Sequence, residues 1–101
     1  MQTTVLTEVY QLLRSIGVVA NEAEFSRDWL GMSESYVRGL RFKGLGASTG
    51  SLAVCASKLQ HYGLQMCESA VHRQLGKQFQ ELSAACHKHI NNKAEAVWLA
   101  A

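Results

Sequence analysis

No proline interrupts this chain of 101 residues. Proline removes a backbone donor and clashes with the preceding helical turn. Without it nothing obliges a helix to break, and glycine must supply the punctuation. Gly17, Gly31, Gly44 with Gly46, Gly50 and Gly63 are the expected ends and turns. Between them apolar residues recur at helical spacing, which predicts an all-α protein. A hydrophobic share of 48% is enough for a real core, and the length suits one domain.

The first helix is expected from Thr4 to Ser15. Val5, Val9, Leu12, Leu13 and Ile16 form its apolar stripe, and Gly17 suits its stop. The second is expected from Glu22 to Leu30. Asn21 can cap it, and Glu24, three residues on, resembles the reciprocal half of a capping box. Phe25, Trp29 and Leu30 supply its buried side. A third helix starts after Ser33, a good N-cap, with Val37 and Leu40 inward and Tyr36 facing either way. Gly39 inside it either admits another backbone or leaves the helix weak alone. A fourth follows Ser48-Thr49-Gly50-Ser51, with Leu52, Cys55, Ala56 and Leu59 as its stripe.

From about Cys67 to Leu99 the pattern reads as one long helix, with breaks conceivable near Gly76 or Asn91-Asn92. Val71, Leu75, Phe79, Leu82, Cys86, Ile90 and Val97 keep a three-four spacing. A helix of about 30 residues would span roughly 45 Å. That exceeds what a small four-helix core can cover, so the stripe needs a fold-back or a second chain. The expected organisation is residues 1–65 as the small bundle and residues 66–101 as a C-terminal helix for packing or dimerisation of the same domain.

Net charge is only +2 and the isoelectric point is near 8.5, which does not by itself predict a nucleic-acid partner. The distribution says more. Between Ser35 and Cys67 there is no Asp or Glu, while Arg38, Arg41, Lys43 and Lys58 fall inside that stretch. An acid-free basic segment can attract phosphates even on a nearly neutral chain. An ordinary solvated face would look the same.

Other chemistries find less purchase. Cys55, Cys67 and Cys86 are an odd, sparse set, which argues against a disulfide framework, and Cys55 among Ala and Val reads as core. Cys86 and His89 share a helical face, but Cys67 and His72 do not, so no metal or other cofactor is expected. No nucleophile signature, paired carboxylates or phosphate-cradling glycine loop is present, so no enzymatic activity is expected. There is no run of 18 apolar residues, and the start Met-Gln-Thr-Thr lacks a basic, apolar leader. The expectation is a cytoplasmic protein without membrane contact.

Gly31, Met32, Ser33, Val37 and Leu40, with Leu52-x-x-Cys55-Ala56-x-x-Leu59 downstream, resemble the Cro and phage-repressor (lambda repressor-like) helix-turn-helix domain over about Val5 to Tyr62. They stand where that family places its turn glycine, an aliphatic residue, a capping serine and two core positions. The chain is also similar to small bacterial proteins, which implies no activity. One departure is visible. The family usually has a small residue four positions before the glycine, where this chain has Arg27, and the small Ser26 comes one earlier. Helix two then carries an extra residue, or the turn is looser. Glu22 stands where the family usually has glutamine.

The resemblance implies a small transcriptional regulator that reads the major groove of double-stranded DNA with residues 33–43, as a homodimer through the C-terminal helix. The outer face would hold Ser33, Glu34, Ser35, Arg38 and Gly39, with Arg41, Phe42 and Lys43 towards its end. Arginine can bond guanine in a bidentate way, and serine can bond phosphate. The expected DNA contacts are Ser33, Ser35, Arg38, Arg41 and Lys43. The alternative is a helical protein–protein interaction module that has lost DNA binding.

Overall fold

The computed structural model describes residues 4–100 as five helices in the order α1 (Val5–Ser15), α2 (Glu22–Leu30), α3 (Tyr36–Lys43), α4 (Thr49–Cys67) and α5 (Arg73–Leu99). Residues 1–3 and 101, which entered the expected domain bounds, lie outside the described residues. The described residues are all helix and connection, with no strand among them.

Local chemistry explains the first two helices. Thr4 caps α1, its hydroxyl accepting the Thr7 N–H at 3.1 Å. Val9 and Leu13 are buried, and Gly17 leaves the helix at φ 79°. Ile16, expected on the stripe, is the exposed C-cap. Asn21 caps α2 by accepting the Glu24 N–H at 3.0 Å. Glu24 does reach back, but to the Ala20 N–H at 2.5 Å and not to that of Asn21. Gly31 ends α2 in the left-handed region at φ 66°, where a side chain would be strained.

The long C-terminal helix folds back. α4 runs on to Cys67, a turn occupies residues 68–72, and α5 returns antiparallel along it. Gly63 therefore does not end a helix, and Gly76 does not break one. Both are buried where α4 and α5 touch. A Cβ on Gly76 would lie 2.8 Å from the Gly63 carbonyl oxygen and 2.9 Å from the Cys67 N and Sγ. Two turns away the seam is again small. The buried Ser83 hydroxyl donates to the Ala56 carbonyl at 2.8 Å. Beside it Cys55 and Cys86, both with no exposure, meet between the helices. The adjacent Cys86 thiol and burial together push the Cys55 thiol up and keep it neutral.

This return covers the stripe expected to need a fold-back or a second chain, and the fold-back is what covers it. Phe79 and Cys86 are buried, and Leu75, Leu82 and Ile90 pack against the same core. Val71 is exposed because it falls in the turn. Val97 is exposed because α5, 27 residues long, outruns the start of α4. The expected boundary near residue 65 falls inside α4, and both sides of it contribute to one core. Trp29, only 4% exposed, joins the bundle to the hairpin. It meets Phe79 edge-on at 6.2 Å and Tyr62 at 5.9 Å, and Lys58 lies over its ring at 4.8 Å.

The seam and α3 give opposite expectations for one substitution. Gly76→Ala overpacks the crossing and should destabilise the fold by about 1–3 kcal/mol. A Cβ on Gly39 would have no neighbour within 4 Å, so this glycine admits no backbone and only weakens α3. Gly39→Ala should stabilise by about 0.5–1 kcal/mol. Thermal and denaturant unfolding of the two variants checks both signs.

Candidate nucleic-acid interface

α3 is short and carries no fully buried residue, so its neighbours must hold it. Val37 and Leu40 face the core, each only partly buried. The connection from Gly31 to Ser35 is longer than the resemblance predicts, and it moves the helix start. Ser33 is not the N-cap. Its carbonyl accepts the Tyr36 N–H at 3.0 Å, and Ser35 stands at the cap position without a side-chain bond. Ser33 and Ser35 are both exposed, their hydroxyls 3.5 Å apart.

The missing cap comes from α2. Ser26 is fully buried, donates its hydroxyl to the Glu22 carbonyl at 2.8 Å, and accepts the Val37 N–H at 3.1 Å. Its carbonyl accepts the N–H groups of Gly31 and Met32. One small residue thus organises the turn and caps the next helix. Arg27, at the position where the family resemblance calls for a small residue, points to solvent instead. Tyr36 makes the second tie. Its hydroxyl accepts the Ser48 N–H at 2.9 Å and lies 3.1 Å from the Ser51 hydroxyl, joining the start of α3 to the start of α4. Burial alone would raise the Tyr36 pKa, but the Ser48 and Ser51 hydrogen bonds outweigh it and the net direction is down. Lys93 of α5 donates to the Ala47 carbonyl at 2.7 Å and holds the α3–α4 connection from below.

The opposite face of α3 is open. Ser33, Glu34, Ser35, Arg38, Arg41, Phe42 and Lys43 are all exposed, and Gly39 is half-buried. The charges on it are not all free. Arg41 Nη1 sits 2.5 and 2.6 Å from the two carboxylate oxygens of Glu22. Glu34 accepts from Arg27 at 2.9 Å, and Arg27 also bonds Asp28 at 3.0 Å. The Asp28 hydrogen bond is the main reason the Arg27 guanidinium is held above its usual range, and Arg27 in turn holds the Asp28 carboxyl below its own. Exposed pairs of this kind contribute little to stability, but they cancel charge locally. Arg38 and Lys43 make no ion pair among the described residues. Lys58, the fourth cation of the acid-free stretch, is elsewhere. It donates to the Asp28 carbonyl at 2.6 Å, at the end of α2. Sequence reasoning missed the acids Glu22 and Glu34 as charge partners, because their cations lie on other elements.

The chemistry-bearing residues outside this face stay apart. Cys86 is buried against Cys55, His89 and His72 are exposed, and Cys67 is half-buried at the end of α4. Among the described residues no three His, Cys, Asp or Glu side chains gather as metal ligands would. None of the described helices is long and apolar enough to cross a membrane.

The architecture is an all-α bundle closed by an antiparallel helical hairpin. The chain belongs to the family described as "Family of unknown function (DUF6626)", which matches residues 6–99. No curated protein and no solved structure matches it.

Removing the cross-helix cap tests how α3 is held. Ser26→Ala leaves the Val37 N–H without its acceptor and should cost about 1–3 kcal/mol. Amide hydrogen exchange should quicken first in α3 and leave the α4–α5 seam protected.

Proposed function

We propose that the protein binds double-stranded DNA through the outer face of α3, as a small regulator of the helix-turn-helix type. The observation that carries this reading is the pair Arg38 and Lys43, without an ion-pair partner among the described residues, on an exposed helix face. The face opposite Val37 and Leu40 is the one such a protein would present to the major groove. Ser33 and Ser35 lie at its leading end, where hydroxyls can meet phosphates. The two nearest acids are already engaged by Arg41 and Arg27, so they repel phosphates less than free carboxylates would. No chemistry beyond binding is required of this face.

Salt dependence is the test. Phosphate contacts release counterions, so affinity for a random duplex should fall steeply with salt. Arg38→Ala and Lys43→Ala should each lower the salt slope by about one unit. Arg38→Ala should in addition relax sequence preference by roughly 1–3 kcal/mol if it reads a base edge. Glu22→Gln should act the other way, because it frees Arg41 for phosphate. Fluorescence anisotropy over a salt series starting at about 50 mM reads all three variants, and no binding at tens of micromolar protein at the low-salt end would defeat the proposal.

A second observation concerns assembly. Val97, Trp98 and Leu99 are 75%, 64% and 69% exposed at the end of α5. A second copy joined there would give the assembly two α3 faces, the number that paired half-sites require. If the apolar end instead serves a different protein, the alternative of an interaction module gains. Light scattering should give a dimer mass for the wild type, and Trp98→Glu should give a monomer with an unchanged melting temperature. A wild-type monomer at high micromolar concentration would remove the dimer from the account.

A further inference from the structure

Phe42 is 91% exposed, more than any other large hydrophobic side chain among the described residues. It stands one turn after Arg38 on α3, so the two share the outward face, and Arg41 and Lys43 flank it in sequence. A bare phenyl ring among cations fits a partner that offers an apolar group beside anions. The major groove has that composition. Phosphates line its rim, and the C5-methyl of thymine is the one apolar group on the base edges inside it.

We propose that Phe42 is a specificity residue that contacts a thymine methyl, giving this chain a preference for thymine at a fixed distance from the Arg38 contact. The inference rests on the DNA-binding reading above. It adds a base identity to it that charge alone cannot supply, since phosphate contacts are blind to sequence. An anionic lipid surface also combines anions with apolar groups. It lacks a methyl group at a defined register, and that difference separates the two.

The experiment selects duplexes from a random pool with the wild-type protein and then replaces thymine by deoxyuridine at the enriched positions. That change removes one methyl and leaves every hydrogen-bonding group in place. The wild type should bind the uracil duplex about three- to fourfold more weakly per methyl contacted. Phe42→Ala should bind both duplexes alike, at the wild-type uracil level, and Phe42→Leu should keep part of the difference. The ring is so exposed that Phe42→Ala should keep the wild-type melting temperature. Equal wild-type binding to thymine and uracil duplexes would overturn the inference while leaving the DNA-binding reading intact. So would a thymine preference that survives Phe42→Ala, or a Phe42→Ala defect confined to phosphatidylglycerol vesicles. Absence of any duplex binding would remove the inference together with the reading beneath it.

Discussion

The structure depends on how closely α4 and α5 approach at Gly63 and Gly76. With a Cβ at Gly76 only 2.8 Å from the Gly63 carbonyl, neither helix can bring a larger residue to that point without separating. The small Ala56 and Ser83 meet two turns on, where the Ser83–Ala56 hydrogen bond satisfies the buried Ser83 hydroxyl. This approach sets Phe79 against Trp29, and Trp29 brings α2 onto the hairpin. Ser26 of α2 then caps α3. Tyr36 and Lys93 tie α3 and its following loop to α4 and α5. The exposed face of α3 is therefore the last link in a sequence of contacts that begins at two glycines.

How much of this was legible depended on the range of each signal. Asn21, Gly31 and Ser48 act on backbone groups within a few residues, and the helix starts and stops they mark are where local chemistry put them. Gly63 and Gly76 carried the same letter as the turn glycines, yet their role is set by a helix that follows in sequence and returns in space. Nothing local separates a glycine that stops a helix from one that admits another. The Ser33 cap failed for a similar reason, because Ser26, buried on the preceding helix, already supplies an acceptor to α3.

The candidate interface was legible in outline only. The inward positions of Val37 and Leu40 imply where Arg38, Phe42 and Lys43 must lie, and those three are exposed. Periodicity could not show which cations are already paired. Arg41 finds Glu22 on another helix, and Arg27 reaches Glu34 across the turn. These pairs narrow the candidate face from a basic run to Arg38 and Lys43 with Phe42 between them. A near-neutral chain can present a local positive face in this way, by engaging its nearby acids and leaving particular cations free.

On the proposed reading a duplex binds at this face, and not at the apolar end of α5 or the outer side of α4. Amide chemical-shift mapping during titration with a short duplex tests it most directly. Signals from residues 33–43 should move together and saturate, with the buried α4–α5 seam unchanged. Shifts confined to residues 94–100 or to the Val54–Tyr62 side of α4, with α3 silent, would contradict it.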